Sequence, residues 1–557
     1  MPILPIQTFL LQIKLIMSEQ QSALLGDEAV ALGAIHAGIS AAYGYPGTPS
    51  TEILEYLIAE YEKNNAPAAR WCSNEKTALE AGLGVSFAGR RALITMKHVG
   101  LNVAADPFIN AALLKIKGGL VIAVADDPGM HSSQNEQDSR FYAAFAMVPC
   151  LEPRSQQEAY NMAREAFDVS ERFNVPVLLR LATRLSHARA AVMTRNQKPQ
   201  NAVSKTTEKN NWMLLPAFAR KNYAALLEKQ KAMQEWSFQH PANKLSGTKS
   251  DLAIITSGLG GNYYEENLND FLALRKKHGK KAPLHLHIGA YPLPEKKILK
   301  LCADANEILV IEEGQPFIAE RLFGIAGGSV RPIIQCGELD PDNVRSALGL
   351  PPRKSVSVSG GALDIKALPP RPPQLCQGCP HADSYMAINK AVAVIDPRPG
   401  HPDIGINSDI GCYSLGATPP YSAVESIVCM GASVGMAKGA SDAGIKYSVA
   451  VIGDSTFIHS GITGLIDAAQ ANIPMTLIIL DNSTVAMTGC QKPMISSPNL
   501  RALIQGCGVD NGHILELETT TRLVDENAKR LIAEIEYKGL SVIIFKRECL
   551  EAVRKKR

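Results

Sequence analysis

The sequence predicts an α/β protein of three domains with mainly parallel sheets, and three observations lead to that prediction. The chain has 557 residues, and at roughly 100–200 residues per domain this length corresponds to about three or four domains. Hydrophobic residues make up 46% of the chain and charged residues 20%, which is typical of a globular protein with large cores. Short apolar β-rich runs alternate with helical patterns, as in strands joined by helical crossovers.

Shifts in composition divide the chain into segments. Residues 196–247 are polar and predict a connecting excursion that is partly helical, and the Ser-, Gly- and Pro-rich residues 354–373 predict a linker. In chain order, the predicted segments are an extra N-terminal segment without a structural role (1–19), a first α/β domain (20–195), the connecting excursion (196–247), a middle α/β domain (248–353), the linker (354–373) and a last α/β domain (374–557).

Charge, hydropathy and cysteine content exclude several classes of protein. Lys and Arg number 57 against 54 Asp and Glu, a net charge of +3, so there is no basic footprint for nucleic acid. No apolar run reaches the roughly 18–20 residues of a membrane span. Eleven cysteines are too sparse for a disulfide framework in a chain of this length. We therefore expect a cytoplasmic protein in which closely spaced cysteines serve metal or redox chemistry.

Polar side chains follow two apolar runs in the last domain. Asp454 follows Gly453 at the end of one predicted strand, a loop and a helix at 461–471 come next, and Asn482 ends the following strand. A helical crossover brings both strand ends to one sheet edge, and carboxylate and amide oxygens suit Mg²⁺. The arrangement resembles the diphosphate-binding motif of thiamine diphosphate enzymes, with Ser455 where that motif has glycine. By this resemblance, the backbone carbonyl of Thr484 is the third protein ligand.

A thiamine diphosphate enzyme also needs a carboxylate that bonds the pyrimidine ring, so that the ring can remove the C2 proton of the cofactor. Glu75 follows a strand-like run at 70–72 and opens a helix of small residues. The spacing from Glu75 to Gly84 matches the glutamate helix of these enzymes. The alternative is that Glu75 only favours a helix N-terminus.

The chain resembles the large subunit of indolepyruvate:ferredoxin oxidoreductase, one of the 2-oxoacid:ferredoxin oxidoreductases, over about residues 20–550. The shared stretches are YGYPGTPSTEI (43–53), TMKHVGLNVAADP (95–107), DDPGMHSSQNEQDSR (126–140), CQGCPH (376–381), SDIGCYSLG (408–416), GDSTFIHSGITGL (453–465) and LDNSTVAMTG (480–489). The resemblance implies two thiamine diphosphate-binding-type parallel sheets, a pyrimidine unit and a diphosphate unit, with a transketolase-C-terminal-like middle domain. It also implies oxidative decarboxylation of arylpyruvates, with coenzyme A as acyl acceptor and ferredoxin as electron acceptor.

The resemblance also suggests residues that bind the 2-oxoacid. Thr48 lies in a loop similar to the family's substrate loop and would bond the substrate, although it could instead be a turn residue between two prolines. Lys97 and His98 would bind the anionic substrate or act near the cofactor, or could be solvated loop residues. Met487 stands where pyruvate-using relatives have a small amide, so it would suit an aromatic substrate or could belong to the core.

Four cysteines are candidates for an electron exit. Cys376 and Cys379 form a CxxC motif, Cys412 lies 33 residues later, and Cys549 follows a strand near the C-terminus. By itself this set leaves a [4Fe–4S] cluster, zinc or no metal open. The resemblance implies the cluster. Cys490 stands where we expect a histidine in close relatives.

The family also has parts that this sequence does not contain. Its large subunit usually ends in a ferredoxin-like domain with two CxxCxxCxxxCP runs, and none precedes Arg557, so the outer electron relay is expected on a separate protein unless it is lost or unnecessary. A small (beta) subunit and an α₂β₂ assembly are implied. Two alternatives are a non-oxidative thiamine-dependent decarboxylase, which needs no cluster, and a non-catalytic subunit that only binds the cofactor.

Overall fold

The structure is a computed structural model that describes residues 21–204, 209–212, 214, 216–322, 329–333, 338–353, 374–427, 430–442, 445–495 and 497–556. The chain divides into two compact units, Met1–Val356 and Ser357–Arg557, which we call the N-terminal and C-terminal units. The predicted segment 1–19 and linker 354–373 lie outside the described residues. Within the described ranges, no helix is both long enough and apolar enough to cross a bilayer.

The first part of the N-terminal unit alternates strands and helices. Its strands are β1 (Gln21–Leu25), β2 (Ala41–Gly44), β3 (Ala68–Trp71), β4 (Ala92–Lys97), β5 (Leu120–Asp126), β6 (Cys150–Leu151), β7 (Val177–Ala182) and β8 (Arg189–Met193). Its helices are α1 (Gly26–His36), α2 (Thr51–Asn64), α3 (Glu75–Phe87), α4 (His98–Val103), α5 (Ala105–Leu113), α6 (Arg140–Ala146), α7 (Gln156–Phe173) and α8 (Thr183–His187). The continuous apolar sequence of β5 is explained by burial of every one of its residues.

The second part of this unit begins with a long helix inside the predicted connecting excursion. The helices are α9 (Pro216–Gln239), α10 (Gly260–Lys277), α11 (Glu295–Asp304), α12 (Phe317–Leu322) and α13 (Pro341–Ala347). The strands are β9 (Lys244–Ser246), β10 (Leu252–Ser257), β11 (Leu284–Ile288), β12 (Ala290–Tyr291), β13 (Glu307–Ile311) and β14 (Ser329–Pro332).

Two large sheets organise the N-terminal unit. One has the order β12-β6-β7-β5-β4-β2-β3 and is parallel except for β12. The other has the order β14-β13-β10-β11-β9 and is parallel except for β9. Because β12 comes from the second part of the unit and pairs with β6 of the first, the two parts share a sheet. The predicted domain boundaries at 20–195 and 248–353 stay a prediction.

The C-terminal unit is built on one parallel sheet with the order β16-β15-β17-β18-β20-β19. Its strands are β15 (Ile404–Ser408), β16 (Ser426–Ile427), β17 (Tyr447–Gly453), β18 (Met475–Asp481), β19 (Ile514–Glu518) and β20 (Leu540–Lys546). Its α-helices are α14 (Pro380–Ile395), α15 (Ala432–Asp442), α16 (Asp454–Thr456), α17 (Ile462–Gln470), α18 (Ser497–Gly506), α19 (Val524–Ile535) and α20 (Leu550–Lys556). The predicted α/β class with parallel sheets is confirmed.

One predicted element in this unit is wrong. The sequence analysis placed a loop between the strand that ends near Asp454 and the helix at 461–471. The structure instead continues from α16 through a π-helical turn, Phe457–Gly461, directly into α17. Phe457 is fully buried in this turn, so core packing outweighs the turn-like composition of the segment.

Candidate active site

The carboxyl edge of the seven-stranded sheet brings Thr48 and Lys97 together through Ser132. Lys97 ends β4, and its ammonium Nζ donates to the Ser132 carbonyl oxygen at 2.8 Å. The Ser132 hydroxyl donates to the carbonyl oxygen of Thr48 at 3.1 Å. A Cβ placed on Gly47 would lie 3.1 Å from the Lys97 Cβ, so the substrate-loop candidate runs directly over the lysine.

Lys97 is buried, so the solvated-loop interpretation of this residue is wrong. Burial lowers the pKa of its ammonium to about 8, and the nearby carboxylate of Asp127 opposes the shift. Asp127 accepts hydrogen bonds from the Ser133 hydroxyl at 2.5 Å and the Thr183 hydroxyl at 2.7 Å. A lysine of this kind carries its charge near neutral pH but loses it at moderately alkaline pH.

Glu75 and His98 begin two helices that contact each other. Glu75 is the first residue of α3, where the side chain of Asn74 caps the helix, and it is only 5% exposed. A Cβ placed on Gly100 would lie 2.4 Å from Glu75 Oε1, so the carboxylate packs against the bare backbone of α4. His98 begins α4 and is buried, which rules out a solvated loop residue.

The orientation of His98 leaves one ring nitrogen available. Its Nε2 lies 3.2 Å from the carbonyl oxygen of Asn135 and donates to it, since a carbonyl can only accept. Within the described part of the chain, its buried Nδ1 has no hydrogen-bond partner. His98 is therefore held by one nitrogen, and the other has no partner among the described residues.

A buried ionic cluster anchors the loop that carries Ser132, and sequence reasoning did not predict it. Arg140 bonds Asp138 through Nε at 2.9 Å and Glu312 through Nη1 at 3.0 Å. Arg180 bonds Asp126 at 2.6 Å and also contacts Asp138 at 3.5 Å. The resemblance quoted residues 126–140 only as a shared stretch, because partners from β7 and from beyond β13 cannot be read from local pattern.

Asp454 and Asn482 follow neighbouring parallel strands in the C-terminal unit. Gly453 of β17 is in register with Leu480 of β18, so both side chains start from the same sheet edge. Asp454 is buried, and its pKa is raised well above the usual range, first by burial and then by the carboxylate of Asp481. The predicted convergence of these two strand ends is present.

Two buried side-chain oxygens at this edge of the sheet lack hydrogen-bond partners among the described residues. Within the described ranges, the buried oxygens Asp481 Oδ2 and Ser455 Oγ have no hydrogen-bond partner. Two close buried carboxylates are costly unless a shared proton or a cation compensates their charge. The oxygen donors of Asp454, Asp481 and Asn482 fit a divalent cation such as Mg²⁺. Asp481 was missed by sequence reasoning, although it directly precedes Asn482.

The chain turns sharply after Asn482. Ser483 adopts a left-handed conformation with φ of 58°, and the Thr484 N–H donates to Asn482 Oδ1 at 3.2 Å. The Thr484 hydroxyl donates to the carbonyl oxygen of Gln491 at 3.1 Å. Met487, farther along the loop, is 57% exposed, so the core interpretation of this residue is wrong.

The four candidate cluster cysteines line one cavity of about 110 Å³ in the C-terminal unit. Cys376 and Cys379 precede α14, Cys412 follows β15, and Cys549 follows β20. Burial and the neighbouring thiols raise the pKa of Cys412 to about 12. Across the described ranges, no three His, Cys, Asp or Glu side chains are arranged to hold a single metal ion. Four thiols around a cavity fit the ligand set of a polynuclear cluster.

The cysteine cavity adjoins the diphosphate motif. Asn482 lines the cavity together with His381. The Cys549 N–H donates to the Asn482 carbonyl oxygen at 3.0 Å, and the Arg547 N–H donates to the Asp481 carbonyl oxygen at 3.2 Å. These contacts follow from the pairing of β18 with β20, which places Cys549 of the cysteine cavity beside Asp481 and Asn482.

A larger cavity, about 480 Å³, lies in the N-terminal unit between α6, α9, α11 and α12. None of the predicted site residues lines it. The candidate site is therefore assigned from its side chains and not from cavity size.

Two family models match the chain, one in each unit. The family model described as "Pyruvate flavodoxin/ferredoxin oxidoreductase, thiamine diP-bdg" matches residues 32–250. The model described as "Thiamine pyrophosphate enzyme, C-terminal TPP binding domain" matches residues 409–545, the part of the chain that contains Asp454 and Asn482. The first match contains Glu75 and Lys97, in the N-terminal unit, and the second lies in the C-terminal unit.

Curated relatives match along nearly the whole chain. Indolepyruvate oxidoreductase subunit IorA of Archaeoglobus fulgidus is 37% identical over 555 residues, covering 94% of this chain and 86% of the relative. The protein of the same name from Methanothermobacter thermautotrophicus is 34% identical, covering 95% and 86%. A solved structure, 2-oxoglutarate:ferredoxin oxidoreductase from Magnetococcus marinus, matches with a TM-score of 0.49 and 15% identity over 59% of this chain and 65% of that chain.

Proposed function

Since the chain belongs to the family of indolepyruvate oxidoreductase IorA subunits, we propose that it catalyses the oxidative decarboxylation of arylpyruvates such as indolepyruvate. The coarser activity of the family is thiamine diphosphate-dependent oxidoreduction of 2-oxoacids. In the reaction proposed here, CO₂ leaves, the acyl group passes to coenzyme A, and two electrons pass one at a time to ferredoxin.

The buried carboxylates Asp454 and Asp481 beside Asn482 are the observation that carries this proposal. Asp454, Asn482 and the carbonyl of Thr484 would hold Mg²⁺ and, through it, the diphosphate. Asp481 adds negative charge next to Asp454, which strengthens the attraction for a cation. Gly453 and Ser455 flank Asp454 at the start of a helical segment, where backbone N–H groups favour an anion.

Thiamine diphosphate, when bound, supplies the electron sink for decarboxylation. Glu75 is proposed to hold the pyrimidine ring and to keep or release a proton at its carboxylate oxygen. Its support is the enclosed position against Gly100, which fixes the direction of the carboxylate. A residue that only favoured a helix N-terminus would not need this enclosure.

Thr48, Lys97 and His98 are proposed to bind the 2-oxoacid. The Lys97 ammonium attracts the substrate carboxylate, and the free Nδ1 of His98 can accept a proton. Met487 is proposed to contact the aromatic part of the substrate, because its exposed thioether is apolar and adaptable.

Cys376, Cys379, Cys412 and Cys549 are proposed to bind a [4Fe–4S] cluster for the first electron step. Their support is the shared cavity next to Asn482. The relatives are named as subunits of an oxidoreductase, which supports a partner subunit; we propose that this partner is a small subunit in an α₂β₂ assembly. Electrons would leave through ferredoxin or a separate iron–sulfur protein.

Anaerobic ferredoxin reduction tests the proposal. The chain, purified with its partner, is supplied with a panel of arylpyruvates with and without coenzyme A. We expect reduction that requires both the arylpyruvate and thiamine diphosphate. Glu75→Gln should abolish it, while Glu80→Gln, which changes an exposed carboxylate in the same helix, should not. Full activity in Glu75→Gln with an unchanged circular dichroism spectrum would contradict the assignment.

Product and iron analysis separate the alternatives. A non-oxidative decarboxylase would release an aldehyde without reducing ferredoxin and would contain no iron. A cofactor-binding subunit without catalysis would release no CO₂ with any 2-oxoacid.

A further inference from the structure

The side-chain amide of Asn482 is held from both sides. Its Oδ1 accepts the Thr484 N–H at 3.2 Å, and its Nδ2 lies 3.3 Å from Nε2 of His381. The backbone carbonyl of the same residue accepts the Cys549 N–H. Asn482 is 6% exposed and His381 is 3% exposed, so water does not compete for these bonds.

The bond from Thr484 settles which way the amide points. A backbone N–H can only donate, so it must face the oxygen of the Asn482 amide, and the NH₂ group then faces His381. The NH₂ group donates, so Nε2 of His381 accepts and the ring carries its proton on Nδ1.

His381 belongs to the cysteine motif by sequence and to the diphosphate motif by contact. It is the second residue of α14, two positions after Cys379, and its ring meets Tyr413 edge to face at 6.2 Å between centroids. The same side chain lines the cysteine cavity. The CxxC loop and the end of β18 are therefore joined through one side-chain contact.

We propose that His381 is a positioning residue that keeps the Oδ1 atom of Asn482 turned toward the metal by accepting a hydrogen bond from its NH₂ group. This inference rests on the proposed function, since it takes Asn482 as a metal ligand. Without the histidine acceptor, the amide NH₂ loses its buried partner and the side chain can rotate away. Partners of metal ligands typically change metal affinity 10–100-fold when they are removed.

Two polar replacements separate positioning from general damage. In His381→Gln, the amide oxygen can reach the place of Nε2 and still accept from Asn482. In His381→Asn, the shorter side chain cannot reach that place. His513→Gln is the matched control, because His513 lies in the same unit and bonds Glu534 instead.

The measurement is equilibrium binding of thiamine diphosphate to the chain with its partner, at a series of Mg²⁺ concentrations and without substrate. We expect His381→Asn to raise the half-saturating Mg²⁺ concentration about 10-fold or more, with His381→Gln and His513→Gln within about twofold of the wild type. Equal Mg²⁺ dependence in all proteins, or an equal loss in both His381 variants, would overturn the inference. If the wild type binds no thiamine diphosphate at any Mg²⁺ concentration, the proposed function itself fails.

Discussion

Replacing Asp27 by asparagine should stabilise the N-terminal unit. Asp27 lies in the first turn of α1 and is fully buried. Within the described part of the chain, neither of its carboxylate oxygens has a hydrogen-bond partner. Burial raises its pKa to about 8, and the carboxylate of Glu52 adds to the shift. A helix N-terminus favours negative charge, but here burial outweighs that preference.

The size of the effect follows from the shift. The folded pKa lies above the ordinary value of 3.8, so the carboxyl must take up a proton on folding. The stabilisation that proton binding at Asp27 gives the folded state is complete below about pH 4 and is lost as the pH rises through about 8. Each pKa unit corresponds to about 1.4 kcal/mol, so folding at pH 7 costs about 4 kcal/mol at this site. Burying the asparagine amide itself costs about 1–2 kcal/mol, so Asp27→Asn should raise the free energy of unfolding at pH 7 by about 2–3 kcal/mol.

Tryptophan fluorescence during urea unfolding reports on the N-terminal unit. The three tryptophans of the chain, Trp71, Trp212 and Trp236, all lie in that unit. The stability advantage of Asp27→Asn should grow by about 1.4 kcal/mol per pH unit between about pH 5 and pH 7. Glu28→Gln removes the neighbouring carboxylate, which accepts the Leu25 N–H, and should give no gain. An advantage that does not change with pH, or a variant that is less stable at pH 7, would refute the reasoning.

Three further predictions concern the candidate site. Gly100→Ala should lower turnover about 100-fold, because the new Cβ would lie 2.4 Å from the neighbouring carboxylate oxygen and displace it; Gly84→Ala, whose Cβ meets nothing within 4 Å, should keep wild-type turnover. The KM for the 2-oxoacid should rise above about pH 8 as Lys97 loses its proton, and a flat KM between pH 7 and 9 would count against this role. Cys379→Ser should lose most of the protein-bound iron measured after anaerobic purification, whereas Cys507→Ser, outside the cysteine cavity, should retain it.

The parallel sheets were predictable because their strands are buried on both faces. Residues 447–453 and 475–481 are almost uninterrupted apolar runs, and the structure buries nearly all of them. Once two such runs are joined by a helix, the polar residues that follow them must meet at one sheet edge. The positions of Asp454 and Asn482 therefore followed from local pattern.

The parts that sequence reasoning missed depend on contacts between distant residues. Gly100 has no side chain to attract attention, and its importance appears only when Glu75 is seen against it. Ser132 joins Thr48 to Lys97 from a loop that has no periodic pattern. His381 was read only as part of a cysteine motif, because its contact with Asn482 spans 101 residues.

The helical segment after Asp454 was mistaken for a loop for a related reason. Ser, Thr and Gly in residues 454–461 favour turns when judged locally. Packing of Phe457 and His459 into the interior outweighs that preference. A π-helical turn is also difficult to recognise from sequence, because π-helices are rare and their i→i+5 hydrogen bonds correspond to no familiar spacing of apolar residues.

The parallel arrangement of the C-terminal sheet also provides a position for a spectroscopic label away from the candidate site. Because β17, β18 and β20 all run in the same direction, the candidate metal and cysteine positions lie at one edge of the sheet and the turns that enter these strands lie at the opposite edge. Asn472, exposed in the turn that leads into β18, already holds a left-handed backbone with φ of 47°. A fluorophore or spin label attached at Asn472 would therefore lie at the end of the sheet opposite the candidate metal and cysteine positions.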